Sequence, residues 1–135
     1  MPKKRILIID DEVAITKMLK IVLERTGHYE VSYENKGVNA LSAIRAFSPD
    51  LILLDVNLPD VAGGEIMAEL KQRPTLKKIP VVFLTGMISN EEAQSGLTVV
   101  GRPVVAKPVN MQKLQECIEQ TLTSPPDPDG DNLNG

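Results

Sequence analysis

Short aliphatic runs alternate along the chain with segments whose hydrophobic residues recur every three or four positions. Continuous aliphatic runs bounded by charged or turn residues are typical of strands covered on both faces of a sheet. Such runs predict strands at 5–10, 51–55, 79–85 and 104–107. A shorter segment with weakly alternating polarity predicts one more exposed strand at 29–34.

The segments between these strands have helical spacing. Helices are predicted from Val13 to the stop signal at Gly27, and at 37–47, 65–73, 89–97 and 110–122. The periodic positions of the first helix are Val13, Ile15, Met18, Leu19, Val22 and Leu23. A loop rich in Pro, Asp and Gly is predicted at 56–64, after the third strand.

This alternation of strands and helices predicts the fold class. Five strands alternating with five helices indicate an α/β domain with a doubly wound parallel sheet, because strand–helix–strand crossovers are almost always right-handed. The commoner strand order for five strands, 2-1-3-4-5, is expected, in a flavodoxin-like three-layer sandwich. Residues 1–123 are predicted to form this domain, and 124–135 a disordered tail or a linker.

Charge and cysteine content narrow the function classes. The chain of 135 residues has a net charge of -3, and the three Asp residues of the segment 124–135 account for it. A neutral body argues against binding to nucleic acid or to an anionic membrane, both of which need clustered Lys and Arg. One cysteine, Cys117, excludes an intrachain disulfide and fits a reducing cytoplasm. The apolar runs are too short for a signal peptide or a membrane span.

Polar residues follow four of the aliphatic runs. Asp10 and Asp11 follow the first strand, and Asp55, Thr85 and Lys107 end the third, fourth and last strands. Because the carboxyl ends of parallel strands meet at one edge, where ligands bind, we expect these side chains to converge. Each has an ordinary explanation if taken singly: a helix cap for Asp11, loop hydrogen bonds for Asp55, a strand residue for Thr85 and a surface charge for Lys107.

Taken together, these residues point to metal-assisted phosphoryl chemistry. Three converging carboxylates repel one another unless a cation is present, and oxygen ligands favour Mg²⁺ or Mn²⁺ over zinc or copper. Asp55 is placed to act as a carboxylate nucleophile. Lys107 and the cation would neutralise oxygens of a transferring phosphoryl group, and Thr85 would offer them a hydroxyl donor.

The motifs resemble those of receiver domains of two-component response regulators. The resemblance covers residue 4 to about residue 123 and rests on IIDDE at 8–12, LILLDVNLPDVAGGE at 51–65, VVFLTG at 81–86 and AKP at 106–108. It implies that Asp55 accepts a phosphoryl group from a histidine kinase or a phosphotransfer protein. It also implies a Mg²⁺ ion bound by the Asp11 and Asp55 carboxylates and the backbone carbonyl of Asn57, with Asp10 acting through water.

The resemblance further implies that Lys107 pairs with the phosphoryl group, that Thr85 moves to bond it, and that the Lys107–Pro108 peptide is cis. One position departs from the family pattern. Val104 stands where the family usually has an aromatic residue three positions before the lysine. Since Val104 has no ring to bury, we expect an atypical response of the last strand to phosphorylation, with changes centred on the loop after Thr85.

Three other functions fit the residues less well. A Mg²⁺-dependent phosphohydrolase with an aspartyl nucleophile needs a second Asp two positions later, where this chain has Asn57. A P-loop nucleotide binder needs a GK[ST] motif, and Gly63-Gly64 is followed by Glu65. A scaffold that is never phosphorylated has no need of all the acids and the lysine. The output partner, or an effector domain beyond this chain, is left open.

Overall fold

A computed structural model describes residues 2–86, 98–99 and 102–123. Its strands are β1 (Lys4–Ile9), β2 (Tyr29–Glu34), β3 (Leu51–Asp55), β4 (Val81–Thr85), β5 (Thr98–Val99) and β6 (Arg102–Ala106). Its helices are α1 (Val13–Arg25), α2 (Ala40–Phe47), α3 (Gly63–Lys71) and α4 (Met111–Thr123), and a 3-10 turn at Gly37–Asn39 precedes α2. The predicted helix at 89–97 lies outside the described residues.

The sheet has the order β2-β1-β3-β4-β6-β5. The five strands β2, β1, β3, β4 and β6 are parallel to one another. Since β6 is the fifth of the predicted strands, this arrangement confirms the predicted order 2-1-3-4-5. The two-residue strand β5 was not predicted; it pairs antiparallel with β6, Thr98 opposite Pro103 and Val99 opposite Arg102. A pair this short has too few residues to show an alternating pattern in the sequence.

Apolar side chains cover both faces of the sheet. In β1, Ile6 and Ile8 belong to one buried cluster, which includes Leu19 and Leu23 of α1 and Leu114 and Ile118 of α4. Leu7 and Ile9 point to the other face and pack in a cluster with Ile44 of α2, Ile66 of α3 and Phe83 of β4. The result is the predicted three-layer sandwich, because successive strand residues face opposite sides.

The helix boundaries show where the sequence pattern was imprecise. α3 begins at Gly63, two residues earlier than predicted, and the predicted helix at 37–47 begins as a 3-10 turn. α1 begins at Val13 and ends before Gly27, whose positive φ of 81° fits the predicted stop. No helix among the described residues has the length and apolar character required to cross a bilayer.

Fewer residues of α1 are buried than its pattern of apolar positions predicts. Val13 and Met18 are 46% and 44% exposed, whereas Thr16 is buried between them. The Thr16 hydroxyl donates to the carbonyl of Val13 at 2.9 Å and accepts from the Asn35 side-chain amide at 3.1 Å. These bonds satisfy a hydroxyl that would otherwise be costly to bury.

Candidate functional site

The three acidic residues predicted to converge are brought together at the carboxyl edge of the sheet. One carboxylate oxygen from each of Asp10, Asp11 and Asp55 lies within 4.8 Å of the others. Asp10 and Asp55 are buried, whereas Asp11 is exposed. We call these three residues, together with Lys107, the acidic pocket.

The strand ends hold the two buried carboxylates in the same way. Asp10 Oδ1 accepts a hydrogen bond from the backbone N–H of Glu12 at 2.9 Å, and Asp55 Oδ1 accepts one from the N–H of Asn57 at 3.0 Å. An Asp carboxylate that accepts a hydrogen bond from the backbone N–H two residues later in the chain commonly stabilises a turn after a strand. In each residue it leaves the other oxygen, Oδ2, facing Lys107.

Lys107 directly follows β6, and its ammonium contacts the acids. Its Nζ lies 2.7 Å from Asp10 Oδ2, 2.8 Å from Glu12 Oε1 and 3.4 Å from Asp55 Oδ2. Burial alone would lower the pKa of Lys107, but contacts with Asp10 and Glu12 and the charge of Asp55 outweigh it and raise the pKa. The ammonium is therefore charged throughout the neutral range. The peptide bond from Lys107 to Pro108 is cis.

Thr85 and Asn57 complete the pocket edge. Thr85 is buried at the end of β4, and the Asn57 side-chain amide donates to its hydroxyl at 3.4 Å. A pocket of about 350 Å³ opens here and is lined by Asp11, Glu12, Asp55, Asn57, Gly86 and Lys107. Val104 lies in β6 opposite Phe83 and packs against the apolar cluster on the face of α2 and α3.

The residues present fit a divalent cation with oxygen ligands. Asp10 Oδ2 is buried, and its polar contact among the described residues is the Lys107 ammonium at 2.7 Å. Within this group one ammonium faces the three carboxylates of Asp10, Asp11 and Asp55, an excess of negative charge that is costly unless a further cation neutralises it. The three carboxylates give a site of hard oxygen donors, which suits Mg²⁺.

Residues 6–119 match the family model described as the response regulator receiver domain. The chain belongs to this family. Receiver domains are the phosphoacceptor signalling domains of two-component systems, and this domain is one of them.

Individual relatives agree with this assignment. The receiver is 32% identical over 123 residues to the polar-differentiation response regulator DivK of Brucella ovis, a match that covers 88% of this chain and 96% of that protein. Among solved structures, the chemotaxis response regulator CheY4 of Vibrio cholerae superposes with a TM-score of 0.75 at 28% identity, covering 88% of this chain and 98% of that one.

Other relatives are longer than the receiver. It is 34% identical over 125 residues to a protein-glutamate methylesterase/protein-glutamine glutaminase of Trichodesmium erythraeum, covering 88% of this chain but 34% of that protein. It covers 52% of the phosphate regulon transcriptional regulatory protein PhoB of Rhizobium meliloti, at 31% identity. The receiver thus spans between a third and about half of these two relatives.

One contact of the receiver was missed by sequence reasoning. Glu12 directly follows the two acids Asp10 and Asp11, yet no role was predicted for it. The structure places its carboxylate 2.8 Å from Lys107 Nζ, a shorter distance than that from Lys107 to Asp55. Its position next to the acid pair was the available signal, but a helix start also explains an acidic residue there.

Proposed function

We propose that Asp55 is the phosphoryl acceptor of this receiver. The observation that carries the proposal is its position: Asp55 is a buried carboxylate that has Lys107 at 3.4 Å and a carboxylate oxygen of both Asp10 and Asp11 within 4.8 Å. An oxygen of Asp55 would attack the phosphorus of a phosphohistidine and form an acyl phosphate, while the phosphorus–nitrogen bond breaks and the imidazole leaves.

The remaining residues of the acidic pocket would assist this transfer. Lys107 would neutralise charge on the phosphoryl oxygens, and the hydroxyl of Thr85, which ends the adjacent strand β4, would donate to one of them. Asp11, Asp55 and the backbone carbonyl of Asn57 would hold Mg²⁺, with Asp10 acting through water. When bound, the ion supplies positive charge to the phosphoryl oxygens. Without the ion, the carboxylates of the pocket outnumber its one ammonium.

The same site supports turnover of its own acyl phosphate but not a general phosphohydrolase. Hydrolysis of the acyl phosphate needs water to reach Asp55, and the pocket there is open to solvent along Asn57 and Gly86. A carboxamide at Asn57 cannot act as the general acid and base that the hydrolase mechanism requires. We therefore propose autodephosphorylation as the only hydrolytic activity of this receiver.

The phosphodonor is proposed to be a histidine kinase or a phosphotransfer protein. α1 starts directly after Glu12 of the pocket lining, and it exposes Val13, Met18 and Ile21, the last at 54%. Exposed apolar side chains beside a reactive site are suited to partner docking. We place this exchange in the cytoplasm, assign the domain to residues 1–123 and the segment 124–135 to a tail or linker, and leave the output partner unassigned.

Intact-mass measurement after incubation with acetyl phosphate and Mg²⁺ tests the assignment. The parent protein should gain one phosphoryl group, and Asp55→Asn should gain none, because an amide oxygen is a poor nucleophile. Glu65→Gln, which removes an exposed carboxylate from the first turn of α3, should react like the parent. An adduct of equal yield in Asp55→Asn would place the acceptor elsewhere.

A further inference from the structure

Among the residues that the structure describes, Lys107 has three carboxylate partners, and only two of them belong to the site predicted from the sequence. The third is Glu12, whose Oε1 lies 2.8 Å from Lys107 Nζ. Ninety-five positions separate these two residues in the sequence. Glu12 holds the ammonium closely, whereas Asp55 Oδ2 is 3.4 Å from the same atom.

The two close partners of Lys107 differ in their freedom to move. Asp10 is fully buried, and its other oxygen is bonded to the backbone N–H of Glu12. The Glu12 side chain is 51% exposed, whereas that of Lys107 is 13% exposed. Within the described part of the chain, Lys107 is the one polar partner that the structure gives the Glu12 carboxylate. Glu12 can therefore turn into water at little desolvation cost, and Asp10 cannot.

A phosphoryl group on Asp55 would need the same ammonium. Its oxygens carry more negative charge than one carboxylate, and they would lie beside Asp55 Oδ2, on the side of the pocket that Lys107 already faces. The charges of Glu12 and of the phosphoryl group would then compete for one cation. Because Glu12 is the partner with access to solvent, it is the one that can be displaced.

We propose that Glu12 is an exchangeable counter-ion of Lys107: it holds the ammonium in the unphosphorylated receiver and releases it to the phosphoryl group on Asp55. Glu12 acts here as a positioning residue, and no covalent bond to it forms or breaks. Its carboxylate slows phosphorylation, because Lys107 must leave it before it neutralises the incoming group. This inference rests on the proposed function of Asp55.

The test compares Glu12→Gln with Glu30→Gln, using phosphoramidate as the donor at saturating Mg²⁺. Glu30 is an exposed residue of β2 that pairs weakly with Arg5 at 3.7 Å, so its variant makes the same charge change away from the pocket. Glu12→Gln should be phosphorylated about three-fold faster than the parent, the effect of one unit charge acting over roughly 6 Å through a water-like dielectric. Glu30→Gln should match the parent.

A second measurement on the metal-free protein reports the contact itself. The side-chain ammonium signal of Lys107 in nitrogen-15 NMR should be protected from exchange with water in the parent and in Glu30→Gln, and should broaden in Glu12→Gln. Equal rates and equal signals in the two variants would overturn the proposal while Asp55→Asn still fails to react. Phosphorylation that persists in Asp55→Asn would instead contradict the proposed function.

Discussion

Gly63, the first residue of α3, packs directly against the backbone of Asp55. A Cβ added at Gly63 would lie 2.9 Å from the carbonyl oxygen of Asp55 and 2.9 Å from the Cα of Val56. The Gly63 N–H also donates to the carbonyl of Val56 at 3.1 Å. The first residue of α3 thus packs against the end of β3, the strand that carries the proposed phosphoryl acceptor.

Gly63→Ala should therefore destabilise the domain, because the obstructing atoms are backbone atoms that cannot rotate away. We expect a loss of about 1 to 3 kcal/mol, the usual scale for overpacking. Gly64→Ala is the matched control, since a Cβ there meets nothing within 4 Å and alanine favours the helix by about 0.5 to 1 kcal/mol. Urea unfolding of both variants measures the difference, and equal stabilities would contradict this packing.

Mg²⁺ affinity should depend more on Asp11 than on Asp10. Asp11 is the exposed acid of the pocket and the proposed direct ligand, whereas Asp10 is buried and proposed to act through water. Asp11→Ala should weaken binding by roughly ten-fold or more, because Mg²⁺ takes one or two protein carboxylates and keeps several waters. Asp10→Ala should weaken it less. A calorimetric titration in which Asp11→Ala binds like the parent would refute this ligand set.

Glu24 should stabilise the domain at neutral pH but not in acid. Its Oε2 accepts from Lys20 Nζ at 2.9 Å and from the backbone N–H of Val31, on the edge strand β2, at 3.0 Å. The hydrogen bond from Lys20 and then that from Val31 lower the pKa of the Glu24 carboxyl. A lowered carboxyl pKa gives stability that is present above the unfolded-state pKa and is lost as pH falls through the folded-state pKa.

Comparison of the parent with Glu24→Gln checks this pH dependence. At pH 7 the free energy of unfolding should be lower in the variant by about 0.5 to 1 kcal/mol, a small effect because the pair is partly exposed to solvent, which screens it. The gap should close as the pH falls through the lowered pKa of the Glu24 carboxyl in the folded protein. Glu116→Gln, a change on the exposed face of α4, should leave the parent value unchanged at pH 7 and in acid. A gap that persists in acid would show that charge on Glu24 is not its source.

Val104 should limit how far β6 responds to phosphorylation. Moving a two-state equilibrium from 1:99 to 99:1 needs about 5.5 kcal/mol, and burying a Val in full contributes only about 1.5 to 3 kcal/mol. Val104 is already half-buried against the cluster that contains Phe83. With beryllofluoride as the phosphoryl mimic, backbone amide shifts should be large at Thr85 and Gly86 and small at 104–106.

Two variants serve as controls for the beryllofluoride-induced amide shifts and for the role of Val104 in them. Asp55→Asn should show none of these shifts, because it removes the group to which the mimic binds. Val104→Tyr should enlarge the response of β6, because a ring gives the strand more apolar surface to bury. Shifts at 104–106 of the parent as large as those at Thr85 and Gly86 would contradict the prediction.

The architecture and the location of the site follow from the hydrophobic pattern and from the order of the elements along the chain. Strand β3 was predicted with its observed bounds, 51–55, because a strand covered on both faces needs an unbroken aliphatic run. Parallel strands in the predicted order necessarily bring their carboxyl ends to one edge. The convergence of Asp10, Asp11, Asp55 and Lys107 follows from that order without knowledge of any side-chain contact.

Contacts that depend on close packing between distant segments of the chain could be identified only in the folded protein. The sequence has no periodic signal for the pairing of Glu12 with Lys107 or for the packing of Gly63 on Asp55. Its helical period placed Val13 on the buried face of α1, whereas the structure exposes it. A hydrophobic period reports only which face of an element is covered, whereas these features depend on which atoms lie opposite it. That information exists only once the helices have packed against the sheet.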